Sequence, residues 1–418
     1  GWPNKTEDLD YFYPTDVLVT GYDIIFFWVI RMVFSGIEQT GKCPFNTVLI
    51  HGLVRDSQGR KMSKSLGNGI DPLEVIDKYG ADALRMTLIT GNAPGNDMRF
   101  YWERVENSRN FANKVWNASR FIMMNMDENI IDEPSHDLYT PADRWILSAA
   151  NTLAKDVTDN MDKFELGIAV QKVYDFIWDE FCDWYVETAK YRIYHKEEEK
   201  AAADCVLWVL KTVLKQALKL LHPFMPFITE EIYSVLVPEE ESLMMSEWPQ
   251  FHAEWDFPAE ENVMEHVKEI TRGIRNMRAE MNVPNNRKTK VYVVCEDTEI
   301  CDGISTLENS IKPLMMAEKI LVQQTKENIA DNAVSVVVPD AVVYLPLEDL
   351  VDFEQEMERL QKEEEKLKKE IKRAEGMLSN ERFISKAPEA KVQEEREKLE
   401  KYTQMLQQVQ ERMAGLKK

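Results

Sequence analysis

The sequence predicts a multidomain, mainly α-helical protein that begins with an α/β layer and ends in an antiparallel coiled-coil hairpin. With 418 residues the chain is too long for one compact core, and its length predicts roughly two to four domains. Segments within residues 101–258 carry apolar residues at i, i+3, i+4 and i+7, the period of a helical bundle. From residue 348 onward, apolar residues recur in alternating steps of three and four, as in a coiled coil.

The α/β layer is predicted for residues 1–100. Residues 16–34, "DVLVTGYDIIFFWVIRMVF", indicate a short strand, a glycine-containing turn and a helix, and the apolar run "NTVLIHGLV" is a second strand. After it, Asp71 is predicted as a helix N-cap with Pro72 in the first turn, and Gly80 separates this helix from the next one.

Two further units follow the predicted bundle. Residues 259–347 combine a helix at 262–281 with the β-branched runs "KTKVYVVCE", "VSVVVP" and "AVVYLPL", which predict a small α/β unit. Residues 348–418 form the predicted hairpin, with its turn in "SNERFISKAPE". A coiled coil that only dimerises the chain or supports its structure is the alternative interpretation of this tail.

Composition and charge exclude several classes of protein. Hydrophobic residues make up 44% and charged residues 30%, which is typical of soluble globular proteins. No apolar run reaches the ~20 residues of a membrane span and no signal peptide precedes the first strand, so we expect a cytoplasmic protein without membrane contact. The five cysteines show no C-x-x-C spacing, so we expect neither disulfides nor protein-bound zinc. The net charge of −22 restricts nucleic-acid contact to local basic patches.

Residues 59–68, "GRKMSKSLGN", form a basic segment flanked by glycines, which we call the lysine loop. The glycines permit tight turns and the close approach of a ligand to the backbone. Lys61 and Lys64 supply positive charge, and Ser63 and Ser65 supply hydroxyl donors. This combination suits a polyphosphate, and an exposed basic turn without function is the structural alternative.

The lysine loop resembles the KMSKS signature of the class I aminoacyl-tRNA synthetases, and the resemblance extends over the 27 residues "GRKMSKSLGNGIDPLEVIDKYGADALR". The segments "GWPNKT", "FYPTDVLVTGYDIIFFWVIRM" and "RVENSRNFANKVWNASRF" are similar to the valyl-tRNA synthetases, as is the closing hairpin. The isoleucyl enzymes are the nearest relatives and an alternative, but they usually end in a cysteine-bound zinc module that is missing here.

The resemblance implies a role for each predicted unit. Residues 1–100 would be the second half of a class I Rossmann-type α/β domain, and residues 101–258 an anticodon-binding helical bundle. Residues 259–347 would connect this bundle to a tRNA-binding coiled-coil arm at 348–418.

The resemblance also implies an ATP-dependent ligase. L-Valine and ATP, accompanied by Mg²⁺, would give valyl-adenylate and pyrophosphate, and valine would then pass to the terminal ribose of tRNA(Val). Lys61 and Lys64 would be catalytic, because negative charge builds on the departing pyrophosphate in the transition state. His51 and Gly52 would meet adenine, and Asp23 would accept hydrogen bonds from the ribose. The implied ATP-binding set is Lys61, Met62, Ser63, Lys64, Ser65, His51, Gly52 and Asp23.

Ile24 and Trp28 would line the valine pocket by the same resemblance. Their spacing of four residues places both on one face of a helix. The alternative is that both are ordinary core residues.

Two parts of the family pattern are missing from the sequence. None of the six histidines lies in the H-x-G-H signature that the family places near its N-terminus, and the inserted editing domain is also missing. We therefore expect a C-terminal fragment that is inactive in isolation. A non-catalytic RNA-binding or scaffolding coiled-coil protein is the alternative from a different functional class.

Contacts with tRNA are predicted at two places. Lys114, Asn117 and Phe121 lie on successive turns of one helical face and offer a phosphate contact, a base-edge partner and a stacking ring. Arg382 and Lys386, near the tip of the hairpin, are further candidates. The partners are then tRNA(Val), L-valine and ATP, and we expect a monomer.

A second basic cluster lies in the first part of the small α/β unit. It is suited to a phosphate backbone, with ordinary solvation and pairing to nearby glutamates as the alternative. Its members are Lys268, Arg272, Arg275 and Arg278, with Arg287, Lys288 and Lys290 further along the chain.

Overall fold

The computed structural model describes residues 1–126, 133–350, 353–379 and 389–415, and for residues 64, 353–360, 389–390 and 411–415 it describes the backbone only. The described residues are mostly helical and contain three small sheets, so the predicted mainly α class is confirmed. The chain divides into two units, one of residues 1–267 with 302–311, the other of residues 268–301 with 312–418. The bounds of the four predicted domains stay a prediction.

The first unit opens with two parallel strands and the connection between them. In chain order its elements are α1 (Glu7–Phe12), β1 (Thr15–Gly21), a 3-10 turn (Tyr22–Ile24), a π-helical turn (Ile25–Val29), α2 (Ile30–Thr40) and β2 (Phe45–His51). Parallel neighbours need a crossover connection, and the helical segment supplies it. Gly21 pairs with His51, so both strands end at the same edge. The strand predicted within residues 16–34 is present, but a 3-10 and a π-helical turn precede the regular helix, which begins only at Ile30.

A second short parallel pair lies on either side of the lysine loop in sequence. It consists of β3 (Val54–Arg55) and β4 (Met98–Arg99), and α3 (Pro72–Tyr79) and α4 (Ala81–Ile89) lie between them. The predicted caps are confirmed: the Asp71 side chain accepts a hydrogen bond from the backbone N–H of Leu73 at 2.9 Å. Gly80 has a φ of 90°, which separates the two helices.

A helical bundle follows. Its helices are α5 (Trp102–Asn125), α6 (Pro141–Asp162), α7 (Leu166–Asp175), α8 (Val186–Tyr194), α9 (Lys200–Leu221) and α10 (Pro226–Leu236). Their apolar faces are buried, as the period of the sequence predicts. None of the helices in the described ranges combines the length and hydropathy needed to cross a membrane.

One segment of the bundle differs from the prediction. The aromatic-rich stretch after α7 is π-helical at Phe176–Tyr185, where the apolar pattern predicts an uninterrupted α-helix. Buried residues recur there at a spacing of five, Phe176 with Phe181 and Ile177 with Cys182, which matches the i to i+5 hydrogen bonds of a π-helix.

A buried polar network holds α6 and α8 together. Asp143 is 0% exposed, and its carboxylate accepts hydrogen bonds from Tyr185 Oη at 2.6 Å and from the guanidinium of Arg192. The other carboxylate oxygen accepts from the backbone N–H of Thr140 at 2.8 Å, which closes the N-terminal capping box of α6. The charge is therefore buried together with the partners that it needs.

The second unit contains a four-stranded sheet of order β6-β5-β8-β7. The elements of this part of the chain are α11 (Pro258–Glu280), β5 (Thr289–Cys295), α12 (Thr298–Thr306), α13 (Glu308–Met315), β6 (Ala317–Gln323), β7 (Val334–Val338), β8 (Ala341–Leu345) and α14 (Leu347–Leu350). The predicted helix and three predicted strands are present. Strand β6 was not predicted, because "AEKILVQ" lacks both alternation and β-branched enrichment.

The tail consists of two long helices, α15 (Phe353–Leu378) and α16 (Glu389–Gly415). Leu367 of α15 and Val409 of α16 form a buried cluster between the two helices, and Tyr402, Met405 and Leu406 pack around it. Both helices were expected from the apolar repeat. The predicted turn between them lies outside the described residues.

Candidate functional site

Three of the predicted ATP-binding residues meet at the carboxyl ends of β1 and β2. Asp23 lies in the turn after β1, and His51 is the last residue of β2. Lys61 Nζ lies 3.5 Å from Asp23 Oδ2. Ligands of α/β sheets bind in the crevice outside the carboxyl ends of parallel strands, so this edge is where a nucleotide is expected.

The Lys61–Asp23 pair is exposed and easily broken. The Lys61 side chain is 65% exposed and that of Asp23 is 35% exposed. Exposed ion pairs contribute about 0–1 kcal/mol, so either partner can turn to a ligand at small cost.

Two residues that the sequence analysis missed, Asp56 and Asn68, hold the lysine loop. Asn68 Oδ1 accepts a hydrogen bond from the backbone N–H of Ser63 at 2.9 Å, and Asn68 Nδ2 donates to Asp56 Oδ2 at 2.9 Å and to the carbonyl of Lys61 at 3.3 Å. Asp56 also accepts from the backbone N–H of Arg60 at 2.8 Å. Arg60 and Asn68, on the two sides of the KMSKS segment, are therefore bound to one buried carboxylate.

Asp56 stays ionised across the physiological pH range. The hydrogen bond from Asn68 lowers the pKa of the Asp56 carboxyl to about 2, and the hydrogen bonds and charge of Arg60 act in the same direction against the effect of burial. A turn signal in the sequence could have revealed this residue. Asp56 and Gly59 occupy the first and fourth positions of a turn, where aspartate and glycine are favoured, and Gly59 has a φ of 82°.

The middle of the lysine loop is a short 3-10 turn at Lys64–Leu66. Ser63 Oγ accepts a hydrogen bond from the backbone N–H of Leu66 at 3.3 Å and lies 3.1 Å from Ser65 Oγ. Met62 packs against a hydrophobic cluster formed by α3, α4 and α5. For Lys64 the structure describes only the backbone, so the position of its ammonium group stays a prediction.

The neighbouring strand ends are held by Asp97, which the sequence analysis also missed. Its carboxylate accepts from the backbone N–H of Leu53 at 2.7 Å, from Tyr22 Oη at 3.0 Å and from Arg55 Nε. These hydrogen bonds, that from Leu53 above all, lower the pKa of Asp97. Gly52 passes so close to this segment that a Cβ atom would lie 1.8 Å from the carbonyl oxygen of Asn96. Only glycine at position 52 allows the two backbone segments to approach this closely, in addition to any contact of Gly52 with adenine.

Replacement of Asn68 by alanine is expected to release the lysine loop. It removes the acceptor of the Ser63 N–H, and a lost hydrogen bond of roughly 1–1.5 kcal/mol corresponds to about tenfold faster amide exchange at Ser63. Hydrogen exchange of residues 61–68 in the 418-residue chain measures this effect. The exposed Asn285 replaced by alanine is the control, and unchanged exchange at Ser63 would contradict this account of the loop.

Ile24 and Trp28 are exposed, so the alternative that they are core residues is not supported by the described structure. Ile24 is 39% and Trp28 59% exposed. Ile24 ends the 3-10 turn and Trp28 lies in the π-helical turn, so the expected pair of positions on one regular α-helix is replaced by two irregular turns. Irregular helical turns are frequent at functional sites.

The predicted anticodon residues lie on one continuous helix, α5, but they differ in exposure. Asn117 is exposed. Lys114 is paired at the surface of the bundle: its Nζ lies 2.6 Å from Asp183 Oδ1 and 3.8 Å from the ring centroid of Trp178. Phe121 is half-buried, with Lys190 Nζ 5.8 Å from its ring centroid.

The second basic cluster is only partly on the surface. Lys268 is 4% and Arg278 2% exposed, and Arg275 Nε donates to the carbonyl of Leu314 at 3.1 Å. The expectation of a phosphate-binding patch is therefore wrong for Lys268 and Arg278, because their charged groups lie within the protein. Arg382 and Lys386 lie outside the described residues.

The described parts of the chain contain no group of three or more histidine, cysteine, aspartate or glutamate side chains arranged to hold a metal ion. Mg²⁺, expected with ATP, would arrive with that substrate. The expected lack of bound zinc stays a prediction.

Descriptions of known protein families match three parts of the chain. Residues 1–101 match the class I tRNA synthetases (I, L, M and V), residues 143–293 the anticodon-binding domain of tRNA ligase, and residues 352–417 the valyl tRNA synthetase tRNA binding arm. The strand edge with its lysine loop is thus a class I tRNA synthetase feature.

Curated relatives match the whole chain. The valine–tRNA ligase of Clostridium perfringens is 56% identical over 417 residues, which cover 100% of this chain and 47% of that relative. That of Bacillus subtilis is 48% identical over 424 residues, with the same coverage. The chain belongs to the valine–tRNA ligase family and spans 47% of the length of these relatives. A Mycobacterium tuberculosis methionyl-tRNA synthetase structure with methionyl-adenylate is 21% identical, with a TM-score of 0.48 over 60% of this chain and 51% of that one.

Proposed function

We propose that this chain supplies the phosphate-binding loop and the tRNA-binding parts of a valine–tRNA ligase. The observation that carries the proposal is the lysine loop at the carboxyl ends of β1 and β2. There Lys61 contacts Asp23, and Asn68 accepts a hydrogen bond from the backbone of Ser63 within the loop. The reaction is the ATP-dependent formation of valyl-adenylate, followed by transfer of valine to tRNA(Val). MgATP, L-valine and tRNA(Val) are its substrates.

The two lysines of the lysine loop fit the first step of this reaction. A carboxylate oxygen of valine attacks the α-phosphorus of ATP, and the bond from that phosphorus to the departing pyrophosphate breaks. Negative charge then grows on the pyrophosphate, and Lys61 and Lys64 neutralise it. In the same arrangement Asp23 accepts hydrogen bonds from the ribose, and His51 with Gly52 borders the adenine.

The exposed apolar side chains before α2 fit the amino-acid substrate. Ile24 and Trp28 lie next to Asp23 in sequence and are not used to fill the described core. An apolar pocket beside the nucleotide suits the isopropyl group of valine, since such a pocket is lined by apolar side chains with few polar groups.

The helical parts fit the nucleic-acid substrate. We assign residues 101–258 to anticodon binding, with Asn117 and Phe121 as the accessible contacts on α5. Lys114 joins them only if it leaves Asp183 and Trp178. Residues 259–347 connect the bundle to a coiled-coil arm at 348–418, whose tip would contact tRNA through Arg382 and Lys386. A monomeric cytoplasmic enzyme stays a prediction.

The proposal is tested by joining this chain to the preceding half of the Clostridium perfringens relative, whose matched part is 56% identical. We expect valine-dependent exchange of pyrophosphate into ATP and attachment of valine to tRNA(Val). Leucine in place of valine is the substrate control, and the complete Clostridium perfringens enzyme is the positive control. A folded chimera without valine-dependent exchange would overturn the proposal.

A further inference from the structure

Helix α4 contacts the bundle through two charged side chains at one corner. We call residues 222–228, where α9 ends and α10 begins, the helix corner. Asp82 accepts hydrogen bonds from the backbone N–H groups of Phe227 at 3.2 Å and Ile228 at 2.7 Å. One turn later, Arg85 donates to the carbonyls of Phe224 at 3.3 Å and Pro223 at 3.0 Å.

The negative charge matches the helix end that it contacts. Phe227 and Ile228 belong to the first turn of α10, whose N–H groups lack partners within the helix and carry partial positive charge. Pro223 and Phe224 lie in the connection between the C-cap of α9 at His222 and the start of α10, where the Arg85 guanidinium binds their carbonyls. A carboxylate thus caps α10 and a guanidinium fixes the connection before it, and both come from α4.

The residues between Asp82 and Arg85 face the lysine loop. Ala83 is 2% exposed and is part of the hydrophobic cluster against which Met62 packs. The members of this cluster and the residues packed on it are Val75, Ala83, Phe100, Val105, Met62, Ile70, Tyr79 and Leu84. The hydroxyl oxygens of Thr87 and Ser108, 2.9 Å apart, also join α4 to α5. One short helix therefore contributes both to the cluster on which Met62 packs and to the contacts at the helix corner.

We propose that Asp82 and Arg85 are positioning residues that hold the lysine loop in place relative to the helical bundle. A helix of nine residues moves as one body, so a change at its charged face displaces the apolar face that carries Met62. Asp82 is 8% exposed, and two backbone amides of α10 compensate the burial of its carboxylate. The consequence for catalysis rests on the proposed function, but the effect on the loop does not.

Hydrogen exchange on the 418-residue chain tests the positioning itself. In Asp82→Ala and in Arg85→Ala, we expect amides of residues 61–70 to exchange about three- to tenfold faster, while amides of α6 and the middle of α9 keep their rates. Asp82→Asn retains one acceptor oxygen and should recover part of the protection. Asp77→Asn, at an exposed position on the neighbouring helix α3, is the control and should change nothing. Unchanged exchange at 61–70, or an equal increase throughout the bundle, would overturn the proposal.

Pyrophosphate exchange by the chimera described above separates this inference from the proposed function. If the wild-type chimera is active, Asp82→Ala should lower kcat about tenfold and leave the KM for valine unchanged, since valine itself is not contacted. Asp82→Asn should be intermediate. A raised KM for valine with unchanged kcat would contradict positioning. An inactive wild-type chimera would overturn the proposed function, and the hydrogen-exchange result would still decide the role of Asp82 and Arg85.

Discussion

Replacement of Arg192 by methionine is expected to lower the free energy of unfolding of the helical bundle by about 3–5 kcal/mol. Arg192 is 9% exposed and forms the ion pair of Asp143, which is fully buried. Without the guanidinium, the carboxylate keeps only its hydrogen bonds from Tyr185 and Thr140. Urea unfolding measures the change, with amide exchange in α6 as a local probe because a chain of two units need not unfold in one step.

Two further variants separate the buried charge from other effects of the substitution. Lys172→Met breaks an ion pair with Asp156 in the same bundle, but both side chains are 40% exposed, so the expected loss is at most about 1 kcal/mol. Asp143→Leu combined with Arg192→Met removes both charges and should recover much of the stability, since an apolar pair can replace a buried ion pair. An Arg192→Met loss no larger than that of Lys172→Met would contradict the role of the pair.

The same pair makes the loss depend on pH. Burial alone raises the pKa of Asp143, but the charge and hydrogen bond of Arg192 outweigh it, so the pKa lies below its ordinary value of 3.8. A carboxyl whose pKa is lower in the folded than in the unfolded state stabilises the fold above the unfolded value, and this stabilisation disappears as the pH falls through the folded value. Without Arg192, burial should raise the pKa of Asp143 above its ordinary value. The difference in unfolding free energy between wild type and Arg192→Met should therefore be largest where both carboxyls are ionised, and shrink as the pH falls through the raised pKa of the variant toward the lowered pKa of wild type.

Local chemistry accounts for the parts of the fold that the sequence predicts well. Asp71 and Pro72 specify a helix start through groups within three residues of each other, and the structure has that cap. Residues 16–34 likewise combine a β-branched run, a glycine and an apolar helix, each of which acts locally. The π-helical turn at 176–185 is different, because its spacing of five follows from which aromatic rings the rest of the bundle buries.

The site required information that the sequence does not carry locally. Asn68 and Asp56 are twelve residues apart and meet only because the lysine loop folds back on the turn at Gly59. Asp97 meets Arg55 through the pairing of two-residue strands, which are too short to leave a pattern in the sequence. By contrast, the family resemblance alone identified the KMSKS segment and Asp23 as candidate ATP-binding residues, and Lys61 and Asp23 lie 3.5 Å apart in the structure.

Charged residues are a further case, since their number in a segment does not reveal which side chains reach solvent. Lys268 and Arg278 lie in a basic stretch of α11, yet both are buried. Lys114 lies on the predicted helical face, but its ammonium group is paired with the half-exposed carboxylate of Asp183 and lies over the ring of Trp178. The long aliphatic parts of lysine and arginine side chains allow the charged group to reach solvent or to pair with a neighbouring side chain, and only tertiary packing decides which of the two occurs.

Replacement of Lys64 or Lys61 by alanine is expected to slow valine-dependent pyrophosphate exchange by about 10²–10³, which corresponds to roughly 3–4 kcal/mol of transition-state stabilisation. Either ammonium group would act on charge that appears only as the pyrophosphate departs. The loss should therefore fall on kcat, with a small change in the KM for ATP. Steady-state exchange kinetics of the chimera with varied ATP measure both constants.

Because Lys61 is exposed, a lower rate of pyrophosphate exchange in Lys61→Ala would reflect the chemical step and not a less stable fold. Its side chain is 65% exposed and its ion pair with Asp23 is weak, so Lys61→Ala should leave the stability of the fold within about 1 kcal/mol of wild type. Lys42, exposed in the loop before β2 and thus at the opposite end of the strand, is the matched control, and Lys42→Ala should keep full activity. If Lys64→Ala and Lys61→Ala have the same kcat as Lys42→Ala, the lysine loop does not take part in the catalytic step, and the role implied by the family resemblance is wrong.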